Sequence, residues 1–495
     1  MKRSKRFITV LLAAILLCGA AACSESEMNN DGSETDSREI SAGDTPEPAV
    51  EETEQSDIDL LPDADYEGFS FNILSTDPNC LWGWRVSLYA EEETGEPLND
   101  AVFRRNVAVE DRYNITITDD ADQDSGPTSE TAKRTALAGD DVYSIMSYGV
   151  KWQLVDAQNG CFLNLYKVES IDFDAPWWNR ECADLLTIQG KLYPAFTAFN
   201  VFDNEALGAI YVNNDLVANF NLESPYDLVR EGRWTFDTMY EMETAASIDK
   251  DGDGVMSPGD TVGWVGGVGS FNVFLTAANQ PHVLIGEGGS YVLNQGTEGS
   301  IAAAEKIARV MNDKSASAYL NEQGWAGTSF AEGSALLREG GVANLSTFRE
   351  LELSLGVVPP PKFDEAQKQY RTMASNQSMT IVIPKPNADP ERTGVICSAL
   401  GAYSRVPLRE VYYETMLKKK AARDEETVEM LDIILAGKSV DVGVLNENAW
   451  GTVIFGYFNS IRASGTEQLA SVTASNTKQF NKMVEKIENK YSEID

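Results

Sequence analysis

Residues 98–118, LNDAVFRRNVAVEDRYNITIT, place a helical pattern directly before a strand pattern. Val102, Val109 and Tyr113 recur near the spacing of one helix face, whereas Ile115–Thr118 alternates apolar and hydroxyl side chains, as strands do. A helix that leads straight into a strand is typical of α/β proteins, in which helices cover a sheet with parallel strands. This stretch therefore predicts an α/β fold.

The same alternation continues on both sides of that stretch. Further strands are predicted at Phe69–Leu74, Val142–Met146, Gly208–Val212, Val342–Leu345, Gly356–Val358 and Met379–Ile383. Further helices are predicted at Ser129–Ala138, Asp215–Asn219, Thr235–Ser247, Glu298–Asn312, Pro390–Tyr403, Leu408–Lys420, Glu425–Leu435 and Thr477–Lys490. The globular part is too long for one ordinary core, so at least two domains are expected, with a helical C-terminal portion.

The N-terminus has the pattern of a secretory signal. A positively charged start precedes the apolar run Phe7–Leu17, small residues follow, and Cys23 comes next. Small residues before a Cys resemble a bacterial lipobox, which predicts a signal peptide at residues 1–22 and acylation of Cys23, although Ala20 stands where Leu is usual. Ordinary cleavage near Ala22 is the alternative. Either reading predicts export, and the lipobox predicts an anchor on the extracellular face of the membrane.

An acidic segment follows the signal. Its composition, rich in Asp and Glu with prolines and few large apolar groups, cannot offset the entropy cost of ordering. We therefore expect residues 23–62 to form a disordered tether between the lipid and the folded body. An acidic interaction tail would have the same composition.

Charge and histidine content exclude several function classes. The chain has 77 acidic and 40 basic residues, a net charge of −37, so nucleic acids would repel it. Its only histidine is His282, which argues against Ser-His-Asp, Cys-His and His-zinc catalysis, and we expect a structural role for it. Cys161 and Cys182 are close enough in sequence to pair, but isolated buried thiols are an equal alternative.

Residues 249–260, DKDGDGVMSPGD, have the ligand spacing of a calcium loop. The predicted ligands are the carboxylates of Asp249, Asp251, Asp253 and Asp260 and the carbonyl of Val255, with glycine at the sharp turn. Asp260 stands where an EF-hand has Glu, so its shorter arm weakens the site. A turn without calcium is the alternative, and a bound Ca²⁺ would be structural.

Tryptophans in loops with amide and charged neighbours suggest carbohydrate binding, because sugar rings stack on aromatic planes while their hydroxyls need polar partners. For any single Trp a core role is the more common one. The glycine-rich segment Gly263–Gly269 lacks a phosphate-binding Lys and is interpreted as a flexible segment close to a ligand or domain contact. The candidate ligand-binding residues are Trp82, Trp84, Trp178, Asn179, Arg180, Asp203, Trp264 and Trp325.

Several segments together resemble the extracellular solute-binding proteins of family 1, the sugar receptors of ABC importers. They are GEPLNDAVFRRN (95–106), PWWNR (176–180), LTIQGKLY (186–193), YVNN (211–214), GRWTF (232–236), the aspartate loop and GVVPPPK (356–362). The resemblance implies the type II periplasmic-binding-protein fold, with residues 63–200 in an N-terminal lobe and 201–495 in a C-terminal lobe whose chain crosses back. It also implies a ligand cleft between the lobes, hinge closure and contact with permease subunits.

The sequence is therefore compatible with three classes of function. The first is a monomeric receptor without catalysis that captures a carbohydrate. The second is a secreted, calcium-stabilised carbohydrate-active enzyme, which the many carboxylates and the same tryptophans would allow. The third, a calcium-dependent surface adhesion protein, would require repeats, which the sequence lacks.

Overall fold

The computed structural model describes residues 56–77, 88–122, 124–320, 323–348, 350–417, 425–464 and 469–494. Strands in this part of the chain are β1 Phe69–Thr76, β2 Ile115–Asp122, β3 Ile145–Gly149, β4 Gly208–Asn213, β5 Val262–Gly266, β6 Val283–Ile285, β7 Tyr291–Leu293, β8 Ser317–Tyr319, β9 Ala335–Gly341, β10 Leu355–Val358, β11 Thr372–Met373, β12 Met379–Val382 and β13 Lys438–Ser439.

The helices that surround these strands are α1 Pro97–Tyr113, α2 Ser125–Ala138, α3 Val150–Ala157, α4 Arg180–Leu186, α5 Asn214–Asn219, α6 Pro225–Arg230, α7 Phe236–Ala246, α8 Ser270–Ala277, α9 Glu298–Asn312, α10 Ala326–Ser329, α11 Leu345–Phe348, α12 Pro390–Arg405, α13 Pro407–Leu417, α14 Glu425–Ala436, α15 Val442–Leu445, α16 Glu447–Ser464 and α17 Leu469–Glu493. The predicted helical C-terminal portion is confirmed, since β13 is the last described strand.

A four-stranded sheet forms the first half of the body, in the order β12-β3-β1-β2. β1 runs parallel to β2 and β3, whereas β12 returns antiparallel to β3. The buried run Ile145–Gly149 on β3 and the buried side of β1 are covered by α1, α2 and α3. The carboxyl ends of β1, β2 and β3 therefore share one edge of the sheet.

A five-stranded sheet forms the second half, in the order β10-β4-β9-β5-β8. β5 is parallel to β8 and β9, and β4 is antiparallel to β9 and β10. The alternation of strands and helices predicted parallel strands, but each sheet contains antiparallel pairs as well, which is the mixed arrangement that the family resemblance implies. α7, α8 and α9 pack around this sheet.

The chain passes between the sheets through three neighbouring segments, which we refer to as the crossing segments. The first leads from β3 in the first sheet to β4 in the second. The second leads from β10 in the second sheet through β11 to β12 in the first, and the third contains β13, which pairs in parallel with β11. An isolated bridge between Leu207 and Ala374 joins two of these segments. Polar side chains on these segments therefore lie on stretches of chain that link the two sheets.

Local chemistry accounts for most differences from the predicted elements. α9 has the predicted bounds, and α2 starts four residues earlier because the Asp124 side chain caps its N-terminus. The strand predicted at Val142–Met146 lies at Ile145–Gly149. The strand predicted at Val342–Leu345 is wrong: Gly341 N–H donates to Asn344 Oδ1 at 3.0 Å, which starts a helical turn there.

The last residues of the predicted tether belong to the folded body. Residues 57–60 form a 3₁₀ turn, and Asp57 lies 2.5 Å from Arg405 through its Oδ2. Leu61 is buried. One ion pair and one buried leucine are enough to fix this short segment against α12, whereas residues 23–55 and the lipidation site Cys23 lie outside the described residues.

Three cysteines in the described part are free and buried, namely Cys161, Cys182 and Cys397. Burial raises the pKa of the Cys161 thiol to about 12, so it stays protonated and packs as a small apolar group. Of the two alternatives for Cys161 and Cys182, the structure has the isolated thiols. Among the described helices, none combines the length and the hydropathy that a bilayer crossing requires.

Candidate functional site

Two of the predicted ligand-binding residues meet at one cavity. Trp178 and Asn179 line a space of about 180 Å³ together with Trp177, Phe196 and side chains from α12, α13 and β13. We refer to it as the tryptophan cavity. Its walls come from the segment before α4, from the chain entering β4, from the three helices α12, α13 and α14 and from β13, so residues far apart in sequence form it.

Backbone pairing holds the two tryptophans in place. Trp178 forms an isolated bridge with Thr197, and Asn179 caps α4 by accepting from Cys182 N–H at 2.8 Å. Trp177 packs against Gly401, where an added Cβ would come within 2.7 Å of the indole ring. Both indole N–H groups are buried without a hydrogen-bond partner among the described residues.

Asp203 lies beside this cavity rather than in its lining. Its Oδ2 accepts from Lys438 Nζ at 2.6 Å, and both side chains are almost fully buried. Burial raises the pKa of Asp203, and the Lys438 ammonium opposes that rise. The ion pair joins the segment before β4 to β13. Asp203 therefore links two of the crossing segments through Lys438.

The other predicted ligand-binding residues are dispersed. Arg180 is half-exposed and pairs with Asp174 and Asp184 on the surface. Trp264 is fully buried in the core of the five-stranded sheet. Trp325 is half-buried after β8, and Trp82 and Trp84 lie outside the described residues. The structure therefore brings Trp178, Asn179 and the neighbouring Asp203 together, and it does not bring Arg180 or Trp264 to them.

A second cavity, of about 240 Å³, lies at the edge of the five-stranded sheet where β5 and β9 end. Its lining includes Gly208, Gly267, Gly269, Ser270, Glu339 and Ser375. We refer to it as the glycine-lined cavity. Gly267 and Gly269 in this lining belong to the segment that was predicted to be flexible and close to a ligand or domain contact; the prediction of flexibility is wrong for its first part, because Val262–Gly266 forms the buried strand β5. In open α/β sheets, ligands bind beyond the carboxyl ends of strands, which is where this cavity lies.

Ser375 connects this cavity with the four-stranded sheet. Its N–H donates to Ala206 O at 3.1 Å, and its Oγ accepts from Gln377 N–H at 3.2 Å. Gln377 in turn lies beside Gly149, the last residue of β3. The carboxyl edge of the second sheet is thus continuous, over a few residues, with the carboxyl edge of the first.

Glu339 is the charged group of the glycine-lined cavity. Its Oε2 accepts from Ser270 Oγ at 2.6 Å. Burial raises the pKa of Glu339, while the Ser270 hydrogen bond and the charge of Arg338 lower it. Gly208 in the same lining packs closely against Val273, since a Cβ there would lie 2.7 Å from the Val273 side chain. Sequence analysis missed Glu339, because among the many carboxylates no spacing distinguishes it.

Aromatic residues recur just after the carboxyl ends of strands. Trp152 follows β3, is half-buried and lies with its ring 5.8 Å from Lys151 Nζ. Trp325 follows β8, and Trp82 and Trp84 follow β1 in the sequence. Trp152 was not among the predicted ligand-binding residues, and the structure places it on α3.

The aspartate loop brings three of its five predicted metal ligands together. One carboxylate oxygen from each of Asp249, Asp251 and Asp253 lies within 4.8 Å of the others. Both Asp249 oxygens also accept from the loop, from Gly252 and Gly254 N–H at 2.7 Å each, and the Gly254 bond most strongly lowers the pKa of Asp249. Three carboxylates held this closely form an oxygen-rich set that suits calcium.

Asp260 has a different environment from the one predicted. It is buried, and its two oxygens accept from Lys250 N–H at 2.9 Å and Ser257 N–H at 2.8 Å. These hydrogen bonds hold the ends of the loop together. Val255 is partly exposed, and its N–H donates to Asp253 Oδ1 at 2.8 Å. The described loop thus groups the first three aspartates and uses Asp260 as a backbone brace.

His282 has the structural environment that was expected. It is buried, its Nε2 lies 2.9 Å from Asn272 Oδ1, and its Nδ1 lies 3.2 Å from Gln295 Nε2. Burial lowers the pKa of His282 to about 3, so the ring is neutral at physiological pH. Its backbone N–H also donates to the buried Asp441 at 2.6 Å.

Comparisons with known proteins identify the fold. No protein-family model matches the sequence, and no curated protein matches it. A sugar transporter from Rhizobium etli, solved in an open conformation, superposes with a TM-score of 0.58 at 13% identity over 84% of this chain and 99% of that one. UspC of M. tuberculosis superposes with a TM-score of 0.55 at 14% identity over 83% and 100%.

A third solved structure is the GacH receptor of Streptomyces glaucescens, which was determined unliganded and in complex with acarbose. It superposes with a TM-score of 0.51 at 12% identity over 84% of this chain and 99% of that one. Identities this low establish a shared fold and not a shared ligand. The predicted fold class is confirmed: the chain has the two-lobe α/β fold of the periplasmic-binding-protein type that these structures share.

Proposed function

We propose that this protein is a lipid-anchored receptor on the extracellular face of a bacterial membrane, which captures a carbohydrate for an ABC importer. The observation that carries the proposal is the glycine-lined cavity at the carboxyl edge of the five-stranded sheet. It lies in a fold shared with a sugar transporter and with a receptor that binds acarbose. The ligand would be enclosed between the lobes by hinge closure around the crossing segments.

The chemistry of this cavity suits a neutral polyol. Glu339 can accept hydrogen bonds from sugar hydroxyls, and Ser270 and Ser375 can donate or accept. The glycines let a ligand approach the backbone closely. Trp152 and Trp325 do not line this cavity, but each follows the carboxyl end of a strand, and we propose them as aromatic surfaces on which a sugar ring stacks. Trp82 and Trp84 are proposed to add to them from the segment after β1.

The remaining parts of the proposal rest on the sequence. The signal at residues 1–22 and Cys23 would supply the lipid anchor, and the acidic segment would act as a tether that holds the folded body away from the membrane. A monomer of this kind would deliver its ligand to the two membrane subunits of the importer. Loss of membrane association after Cys23→Ser, with the folded body unchanged, is the expected result for the anchor.

We further propose a structural calcium ion held by Asp249, Asp251 and Asp253. Extracellular calcium modules have dissociation constants of about 0.1–1 mM. A calcium concentration about 100-fold above the dissociation constant should raise the free energy of unfolding by about 2.7 kcal/mol. The melting temperature should therefore rise by several degrees when calcium replaces a chelator. Asp251→Asn should abolish most of that rise, because it removes one negative charge.

The matched control for calcium is Asp172→Asn. Asp172 is exposed and accepts from the N–H two residues later, as Asp251 does, but it lies away from the loop. This variant should respond to calcium like the wild type. An equal melting temperature with calcium and with chelator would reject the proposed ion.

A thermal-shift screen of the mature protein against mono- and oligosaccharides tests the proposed function. A carbohydrate that binds the folded state should raise the melting temperature in proportion to the logarithm of its concentration. The same mixtures should release no new reducing ends over time. Turnover of an oligosaccharide would favour the carbohydrate-active enzyme, and a screen without any carbohydrate response would count against the receptor.

A further inference from the structure

The tryptophan cavity has a charge that is unusual for this chain. Its lining contains three cationic side chains, Arg405, Arg409 and Lys438, and no Asp or Glu. The whole sequence has 77 acidic residues against 40 basic ones. A lining picked at random from such a chain would contain more carboxylates than cations, so the composition of this cavity calls for a specific cause.

Two of these cations form ion pairs with carboxylates that are not part of the lining. Arg405 contacts Asp57 through Nε at 2.5 Å and Nη2 at 3.0 Å, and Lys438 contacts Asp203 at 2.6 Å. Arg409 is exposed on α13 and forms no ion pair within the described residues. The cavity therefore retains about one surplus positive charge, at the guanidinium of Arg409.

The buried wall of the cavity offers further donors. The indole N–H groups of Trp177 and Trp178 have no partner among the described residues, although each side chain is only 5% exposed. Unpartnered buried donors are costly, and a bound acceptor removes that cost. Asn179 uses its Oδ1 to cap α4, which leaves its NH₂ group as another donor.

The remaining walls combine apolar and polar side chains. The apolar ones are Pro176, Phe196 and Leu435, the polar ones include Thr197, Asn200, Asn204 and Ser404, and the 180 Å³ equals roughly six water molecules at about 30 Å³ each. A neutral sugar would leave the charge of Arg409 without a counterion. A carboxylate accepts hydrogen bonds and donates none, so it matches guanidinium and indole donors.

We propose that the tryptophan cavity is a second binding site, which takes a small organic carboxylate with a flat apolar body. The carboxylate faces Arg409 and the indole N–H groups, and the apolar body packs between Phe196 and Leu435. The site shares no lining residue with the glycine-lined cavity, so it is independent of the carbohydrate site. Its walls include Lys438 and the segment before β4, so an occupant contacts two of the crossing segments.

Titration calorimetry on the mature chain with benzoate as the probe tests this site. Benzoate should bind with a dissociation constant of about 1 mM or tighter, and benzyl alcohol, which has the same ring without the charge, should bind about tenfold more weakly. Arg409→Gln should weaken benzoate binding by about tenfold, because its side chain is exposed and its loss leaves the fold intact. Trp178→Phe should weaken it as well, since the ring stays and the donor is lost.

Arg104→Gln is the control, because Arg104 is an exposed arginine away from this cavity, and its benzoate affinity should equal that of the wild type. Binding of any carbohydrate found in the thermal screen should be the same in Arg409→Gln and in the wild type. The second site is rejected if benzoate does not bind, if benzyl alcohol binds equally well, or if Arg409→Gln binds benzoate with unchanged affinity.

Discussion

Lys438→Met should lower the free energy of unfolding by about 3–5 kcal/mol, the usual cost of leaving a buried charge without its partner. Lys438 is the counterion of Asp203, and both side chains are nearly fully buried between two crossing segments. The variant keeps the length and apolar volume of the side chain, so packing changes little. Denaturant unfolding at neutral pH measures the effect.

Two comparisons separate this charge effect from packing. The double variant Asp203→Asn with Lys438→Met should recover most of the lost stability, since it buries no charge. Arg104→Met removes an exposed ion pair of the same 2.6 Å length and should cost about 1 kcal/mol or less. Equal losses for the single and double variants would contradict the role assigned to the pair.

The pH dependence of Lys438→Met has a defined sign. Burial raises the pKa of Asp203 in the folded state, and without Lys438 only a hydrogen bond with Ser378 opposes that rise. A carboxyl group with a raised folded pKa binds protons more readily in the folded state, so the variant gains stability as the pH falls. The difference from the wild type should therefore shrink on acidification from neutral pH.

Glu339→Gln should weaken carbohydrate binding by roughly 10- to 100-fold, which corresponds to the about 1.5–3 kcal/mol of a hydrogen bond to a charged group. Glu339 is the charged group in the glycine-lined cavity and is already oriented by Ser270. The amide keeps the shape but replaces one acceptor oxygen with a donor. Calorimetry with the carbohydrate identified by thermal shift measures the loss.

Glu332→Gln is the matched control for that measurement. Glu332 is exposed and precedes β9, whereas Glu339 lies near its carboxyl end. The control should bind carbohydrate like the wild type. If Glu339→Gln retained wild-type affinity as well, the ligand would have to bind away from the glycine-lined cavity.

The sequence predicted all four strands of the first sheet, with β3 displaced along the chain, but only β4 and β10 of the second. Helices such as Glu298–Asn312 were predictable because their apolar residues recur on one helix face. A strand such as Gly208–Asn213 is a continuous apolar run, so its assignment rests on its length rather than on periodicity. The pairing of the strands was not predictable in the same way. β4 and β12 are antiparallel to their neighbours, and that direction depends on how the chain crosses between sheets.

The candidate sites were predicted less completely because residue type does not determine burial. Trp264 and Trp178 were both predicted to bind a ligand, yet Trp264 packs in a core and Trp178 lines a cavity. Glu339 and Lys438 acquire their roles from neighbours that are 69 and 235 residues away. The grouping of Asp249, Asp251 and Asp253 was predictable because these carboxylates lie within five consecutive residues, and Asp260 accepts hydrogen bonds from the backbone of the loop.

Small-angle X-ray scattering of the mature protein, with and without the carbohydrate found by thermal shift, measures whether the lobes close on the ligand. A saturating carbohydrate should lower the radius of gyration because the lobes close, whereas Glu339→Gln at the same concentration should stay closer to the unliganded value. A radius of gyration that does not change when the carbohydrate is bound would contradict a receptor that encloses its ligand.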